Sequence, residues 1–198
     1  MKLDLSVDID LLDEVYNPSD DSYLLLDIIE VKAGEKFLEM GSGSGLIAIH
    51  AAKAGALVTA ADINPHAVEC TRRNAMRNDV HVDVVESDLF ENVEGIFDVI
   101  AFNPPYLAVE DTSTAWIETS WSGGMDGTEV SAVFLEEARK RLAPGGRIYM
   151  ILSSLSGLRS MLRRAREHYQ STMIEEKHMF FESIFAYRFD PLNPTDDK

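Results

Sequence analysis

The chain has 198 residues, enough for one domain with a sizeable core. Its 18 Lys and Arg stand against 34 Asp and Glu, a formal charge of −16 with no basic tract. That balance argues against nucleic acid as a partner, since affinity for duplex DNA or structured RNA comes largely from neutralising phosphates. The single cysteine, Cys70, excludes an internal disulfide and fits a reducing cytoplasm, the expected location. The five histidines show no ligand spacing, so no metal site is expected. After Met1-Lys2-Leu3 the chain carries Asp4, Asp8, Asp10 and Asp13 in place of the apolar run of a leader, so no signal peptide is expected. No apolar run is long enough to span a membrane.

In chain order, Tyr16-Asn17-Pro18-Ser19 leads into a helix with Leu24, Leu25 and Ile28 on its apolar face. Ser19 suits the N-cap, and Asp20 and Asp21 suit the positive end of the helix dipole. Lys36–Met40 reads as a strand, followed by Gly41-Ser42-Gly43-Ser44-Gly45 and a helical pattern over 46–54. A strand over 56–61 ends in Asp62, and a helix opens at Pro65 and runs to Asn78. A strand over 80–85 leads into Ser87-Asp88-Leu89. The run Phe97–Phe102 is short, apolar and β-prone, as a strand buried in a parallel sheet is. Asn103-Pro104-Pro105-Tyr106 then breaks the pattern.

The stretch 107–126 is the one long irregular segment and holds Trp116 and Trp121; loops of that length in compact domains are usually functional. A helix over 128–142 stops at Ala143-Pro144-Gly145-Gly146. A strand over 147–152, a helix over 157–168 and strands over 172–178 and 183–189 complete the pattern. Alternating strands and helices imply a parallel sheet with right-handed crossovers. The last two strands, with no helix between them, are expected to pair antiparallel.

Two features carry chemistry. The glycine loop lets a ligand approach the backbone and points helix N-terminal N–H groups at it. A dinucleotide fingerprint would need glycine at position 46, where Leu46 stands. Asp62 ends the next strand where a carboxylate can accept from both ribose hydroxyls. Asp88 is placed to accept from an adenine amino group, the Leu89 main-chain N–H to donate to the ring, and Glu39 to hold an ammonium group. An acid-lined pocket suits a sulfonium cation better than a pyrophosphate.

The second feature is Asn103-Pro104-Pro105-Tyr106. Two prolines forbid further ladder pairing and stiffen the corner at the carboxyl end of the strand, where open α/β sheets place ligands. The Asn103 side-chain carbonyl and the Pro104 main-chain carbonyl are two acceptors, which suits a planar NH2 group with two hydrogens to give.

Together these pieces resemble the HemK-like release-factor glutamine N5-methyltransferases, in the short branch found in archaea and eukaryotes. The matching residues are Val15-Tyr16-Asn17-Pro18 with Asp21-Ser22, Leu38 to Gly45, Asp62-Ile63-Asn64-Pro65, Asp88-Leu89, Asn103 to Tyr106, and Trp121-Ser122-Gly123-Gly124 with Gly127 and Glu129-Val130. The glycine loop is shared by many methyltransferases, and Asn-Pro-Pro-Tyr by adenine and guanine amino-methyltransferases. The Tyr-x-Pro opening and the Trp-x-Gly-Gly segment point to this branch. Ser22 stands where relatives often carry threonine, which keeps the hydroxyl.

The resemblance implies a Rossmann-like, seven-stranded class I methyltransferase fold: an α/β domain with a mostly parallel sheet, an antiparallel last strand and helices on both faces. It implies one methyltransferase domain over 1–198, with 1–31 as an N-terminal covering segment and helix and 32–198 as the catalytic core. It implies S-adenosylmethionine as cofactor, contacted by Ser22, Glu39, Gly41, Gly43, Gly45, Asp62, Asp88, Leu89 and Asn103. Asn103, Pro104 and Tyr106 would carry the chemistry, with Pro105, Tyr16, Pro18 and Trp121 on the substrate side. The implied substrate is the glutamine of a Gly-Gly-Gln motif in a peptide chain release factor. An adenine amino-methyltransferase and a protein lysine methyltransferase are the alternatives; the acidic charge speaks against the first and the amide-shaped site against the second. The family's small zinc-binding activator subunit is the implied partner. In this fold's usual strand order the third strand is a sheet edge, and residues 80–85 lack the lysine or proline that normally blunts one. Either the partner adds a strand there or the chain's own N-terminal segment covers it.

Overall fold

A computed structural model describes residues 1–105 and 128–192. Seven strands form one sheet: β1 (Lys36–Met40), β2 (Leu57–Asp62), β3 (Asp83–Glu86), β4 (Phe97–Phe102), β5 (Leu142–Ser153), β6 (Tyr169–His178) and β7 (Ser183–Pro191). Their order is β3-β2-β1-β4-β5-β7-β6. The β1–β2, β1–β4, β2–β3 and β4–β5 pairs are parallel, while β7 runs antiparallel to both β5 and β6. The expected architecture is therefore the observed one. The strand order reverses between β1 and β4, which puts a crevice at their carboxyl ends.

The helices are α1 (Asp20–Ile28), α2 (Leu46–Lys53), α3 (Pro65–Arg77), α4 (Glu129–Ala138) and α5 (Leu158–Ala165). Because side chains alternate across a strand, the buried runs of β1, β4 and β5 feed two cores. Phe37, Val99 and Tyr149 pack with Leu25 of α1 and Ile47 of α2. Leu38, Ile100 and Met150 pack on the other face with Phe134 of α4 and Met161 of α5. Helices cover both faces, and burial on both sides is what the continuous apolar runs of β1 and β4 required.

Several boundaries differ from the sequence expectation for local reasons. β3 begins at Asp83 instead of position 80, because the chain leaves α3 through Asp79 at φ 55 and the Val80 N–H bonds back to the Ala75 carbonyl. β5 begins at Leu142, so Pro144-Gly145-Gly146 is a bulge inside the strand: Phe97 pairs with Leu142 and Val99 with Arg147. α4 ends at Ala138, since the next residues turn and the Arg141 carbonyl accepts from the Phe97 N–H of β4 at 2.8 Å. The N-terminal segment does not cover β3. It lies along α3, where Asn78 Oδ1 accepts from the Asp8 N–H, Asn74 Oδ1 from the Asp10 N–H, and Arg77 pairs with both aspartates.

At the amino end of the sheet, Arg147 of β5 reaches under β1. Its guanidinium takes both Glu35 carboxylate oxygens at 3.1 and 3.0 Å and donates to the Glu30 carbonyl. That hydrogen bonding holds the Glu35 carboxyl below its ordinary range, against a smaller opposing effect of burial. Its contribution is therefore present above the ordinary glutamate pKa and lost as pH falls through the lowered folded value. Replacing Glu35 by Ala leaves the Arg147 side chain, 11% exposed, with the Glu30 carbonyl but without its counter-charge. We expect a loss of about 3 kcal/mol, the lower end for breaking a buried ion pair, read from chemical denaturation.

Candidate active site

The carboxyl ends of β1, β2, β3 and β4 surround a cavity of about 260 Å³. One wall is the loop between β1 and α2. Gly43 has φ 53, and a Cβ built there would meet nothing within 4 Å, so the loop backbone lies open to the cavity it lines. Gly45 has a different reason. At φ 80 it caps α2, and a Cβ would fall 2.9 Å from Thr71 Cγ2. Thr71 in turn donates to the Gly43 carbonyl at 3.1 Å, tying the loop to α3.

Two acids brace this loop. Asp62, at the end of β2, accepts from the Gly43 N–H at 2.8 Å and the Asn64 N–H at 2.9 Å. Glu39, buried in β1, accepts from the Ala48 N–H of α2 at 2.8 Å. Burial pushes Glu39 well above the ordinary carboxylate range; the Ala48 N–H opposes that and the Asp62 charge adds to it. Burial raises Asp62 too, against the pull of its three main-chain N–H donors. Among the described lining residues neither acid meets a cationic side chain, an arrangement that suits a cationic ligand.

Beyond β3, Leu89 holds φ 44, a left-handed conformation that costs a leucine energy. Ser87 Oγ secures the turn by donating to the Leu89 carbonyl at 2.8 Å and accepting from the Asn92 N–H at 2.9 Å. Asp88 and Leu89 both line the cavity, with Asp88 exposed.

The opposite wall joins the end of β4 to the start of α1. Asn103 Nδ2 donates to Asp21 Oδ2 at 3.0 Å. An ionised carboxylate only accepts, so this contact fixes which end of the Asn103 amide faces Asp21. Asn103 Oδ1 is left buried with no hydrogen-bond partner among the described residues. An orphaned buried acceptor costs about 1–3 kcal/mol, which a ligand N–H would recover. Asp21 is itself surrounded by donors: the Ser22 N–H at 2.6 Å, Ser19 Oγ at 2.9 Å and the Tyr16 hydroxyl at 3.0 Å. Burial raises its pKa, but bonds from Asn103, Ser19, Ser22 and Tyr16 outweigh that and hold it below the ordinary range. Tyr16 is shifted far upward, by burial first and by the Asp21 charge as well, so it stays a donor.

Of the residues singled out in the sequence, Tyr16, Pro18, Ser22, Glu39, Gly41 and Gly43 line this cavity. So do Asp62, Asp88, Leu89, Asn103, Pro104 and Pro105. Gly45 does not: it sits behind the loop against Thr71, where close packing and not ligand approach demands glycine. Tyr106 and Trp121 lie outside the described residues. Asp21 was missed. An acid in a helix's first turn reads as a dipole partner, and only its place in the Tyr-x-Pro-x-x-Asp-Ser segment hinted at more.

The sequence model of the family described as Methyltransferase small domain matches residues 18–182. The chain is 42% identical over 157 residues to a putative protein N5-glutamine methyltransferase of Methanocaldococcus jannaschii, covering 77% of this chain and 79% of that one. It is 37% identical over 155 residues to the human methyltransferase HEMK2, covering 70% and 71% of the two chains. Among solved structures, the E. cuniculi Mtq2–Trm112 complex, described as responsible for methylating the eRF1 termination factor, matches with a TM-score of 0.72 at 22% identity. That match covers 89% of this chain and 98% of the other, and bears on the fold. The chain belongs to the methyltransferase small domain family, among the HemK-like protein N5-glutamine methyltransferases.

Proposed function

We propose that this enzyme transfers a methyl group from S-adenosylmethionine to the side-chain amide nitrogen of the glutamine in a release factor's Gly-Gly-Gln motif. The observation that carries the reading is the orphaned Asn103 Oδ1, held in place by Asp21 at the wall of an acid-lined cavity. The names of the relatives support it: two are glutamine or HEMK2 methyltransferases and one is described as acting on eRF1.

The cavity fits the cofactor on its own chemistry. Gly43 leaves backbone open where a ligand must come close, and buried Glu39 and half-buried Asp62 have no cationic side chain beside them among the described lining residues. When bound, S-adenosylmethionine supplies an activated methyl on a sulfonium. Asp62 would hold the ribose hydroxyls with its remaining lone pairs, and Glu39 the methionine end. Asp88 and the Leu89 N–H would take the adenine, and Ser22 and the glycine loop the rest of the contact.

A glutamine amide nitrogen is a poor nucleophile because its lone pair is delocalised into the carbonyl. Asn103 Oδ1 and the Pro104 carbonyl would accept its two N–H hydrogens, favouring a more pyramidal nitrogen whose lone pair is free to react. Orientation of this kind supplies several kcal/mol, roughly 7–11 at the ideal limit. The same carbonyls stabilise positive charge developing on the nitrogen in the transition state. Tyr106 would pack on the flat amide, with Tyr16, Pro18, Pro105 and Trp121 flanking the peptide. The proton lost after transfer needs no base, since an N-methylated amide cation is strongly acidic.

The partner is the family's small zinc-binding subunit, adding a strand to β3. Among the described residues β3 pairs with β2 alone. The Ser87 N–H bonds to the Asp62 carbonyl of β2, so by strand parity the main-chain groups of Val84 and Glu86 face outward. Their carbonyls are occupied by Arg72 at 3.0 Å and Asn92 at 3.0 Å, which leaves the outward N–H groups as the docking donors. The Mtq2–Trm112 complex, which shares this fold, supports a two-subunit enzyme.

The direct test incubates a purified release factor with labelled S-adenosylmethionine and maps the label by mass spectrometry. Label on the Gly-Gly-Gln glutamine is expected; label on lysine, or none, overturns the reading. Asn103→Ala should cut turnover by about two orders of magnitude, as losing a transition-state hydrogen bond does, with cofactor affinity largely kept. Asp21→Asn, which frees the Asn103 amide to flip, should lower kcat by about tenfold with the same split. Full activity in either variant contradicts the amide-acceptor site.

The raised acids set a pH dependence. A cationic group beside Glu39, and ribose hydroxyls donating to Asp62, favour the ionised forms of the two acids, so cofactor binding should release protons, and affinity should fall as pH drops, beginning above the ordinary carboxylate range. Calorimetry in buffers of different ionisation enthalpy should show a buffer-dependent heat; identical heats would contradict the assignment. Val84→Pro removes an outward N–H without touching the β2 ladder and should abolish copurification of the small subunit with the fold intact. A fully active chain that copurifies with nothing would remove the need for that partner.

A further inference from the structure

The turn between β6 and β7 carries two phenylalanines that the cores do not use. Phe180 and Phe181 are 92% and 86% exposed, with rings 4.7 Å apart at 78°. Their position in the sheet matters. Ser153 at the carboxyl end of β5 pairs opposite Ile184, so the turn projects past the edge of the sheet where β4 delivers Asn103.

The turn is firmly held. The Met179 N–H donates to the Glu182 carbonyl at 2.7 Å, closing it. Ser153 Oγ donates to Glu182 Oε2 at 2.5 Å, and the Ser183 N–H to Ser154 Oγ at 2.9 Å. Lys177 of β6 pairs with Asp20 at 3.1 Å, fastening the hairpin to the first turn of α1, one residue from Asp21. The Glu182 charge reaches the Tyr16 hydroxyl on the cavity wall. Leu155, two residues past the carboxyl end of β5, is a further large apolar side chain, 51% exposed. Large aromatics this exposed on a pinned turn mark a contact surface, because nothing in the fold is gained by holding them in water.

We infer that the Phe180–Phe181 tip is a docking element for the folded body of the protein substrate, seating in an apolar pocket rimmed by basic side chains. The occupant follows from continuity. A polypeptide whose glutamine enters the cavity at Asn103 approaches the same carboxyl end of the sheet from which this turn projects. The basic rim follows from the charge of the chain as a whole, −16, since near the tip Asp20 and Glu176 are already paired with Lys177 and His178. A second copy of this chain, with the same acidic surface, is the poorer match.

This inference rests on the glutamine methyltransferase reading, and its test separates the two. The enzyme, with any copurifying subunit, is given either the whole release factor or a short peptide containing Gly-Gly-Gln, and methylation is followed by mass spectrometry. For Phe180→Ser with Phe181→Ser, kcat/KM on the whole protein should fall by about tenfold or more, chiefly through KM, as truncated interface anchors do. The same variant should match the wild type on the peptide within about twofold, which also shows that it is folded. Phe180→Leu with Phe181→Leu should recover most of the loss. Unchanged kinetics on the whole protein, or equal losses on both substrates, would overturn the docking role and leave the chemistry standing. A concentration-dependent wild-type dimer that the serine variant cannot form would assign the tip to self-association instead. Wild-type enzyme that methylates neither substrate would overturn the glutamine reading and the docking role together.

Discussion

The hydrogen bond from Asn103 to Asp21 is the contact through which the rest of the site acquires direction. An asparagine amide is nearly symmetric in shape, and a strand end alone does not choose which of its two ends faces a ligand. A carboxylate that can only accept makes that choice. Asp21 can serve because Tyr16, Ser19 and Ser22 supply it with donors and keep it ionised in a buried place. The cost is an acceptor left without a partner among the described residues, and such deficits persist where a ligand repays them.

The surrounding fold keeps these two residues together although they are 82 positions apart. β4 is central and buried on both faces, so Asn103 sits at the end of a rigid element. α1 packs into the core through Leu24, Leu25 and Ile28, and its first turn brings Asp21 over that strand end. At the far end of the sheet the Arg147–Glu35 pair links β5 to the entry of β1, so the strands that carry the glycine loop and Asn103 share one frame. The N-terminal segment is tied along α3 by Asn74, Asn78 and Arg77, and Asn64 fastens it further by donating to the Glu14 carbonyl at 2.7 Å. That route delivers Tyr16 and Pro18 to the cavity, and among the described residues no strand pairs with the outer side of β3.

Much of this was legible in the sequence, and the exceptions have physical causes. β1 and β4 were readable to the residue because runs buried on both faces, bounded by Glu35 or Gly95 on one side and glycine or proline on the other, admit little else. The acids that end β1 and β2 stood out beside the glycine loop. Pro144-Gly145-Gly146 was misread because a bulge and a turn have the same local chemistry, and only pairing with β4 distinguishes them. Asp21 was missed because a helix-dipole acid and a buried acceptor look alike until α1 is docked. Gly45 was counted with the cofactor residues, yet its need for glycine comes from Thr71, a contact 26 residues away in sequence that the loop pattern does not contain. The aromatic tip at Phe180 and Phe181 also carried no signal, since two apolar residues between strands read equally well as core.

The central claim is that Asn103 presents its carbonyl to an amide NH2 group while Asp21 holds the other end. A crystal structure with S-adenosylhomocysteine and a Gly-Gly-Gln peptide tests it most directly. The account predicts the glutamine side-chain nitrogen at ordinary hydrogen-bond distance, about 2.7–3.2 Å, from both Asn103 Oδ1 and the Pro104 carbonyl, with Asn103 Nδ2 still on Asp21. A glutamine bound elsewhere, or bound through its carbonyl oxygen to a flipped Asn103, would contradict it.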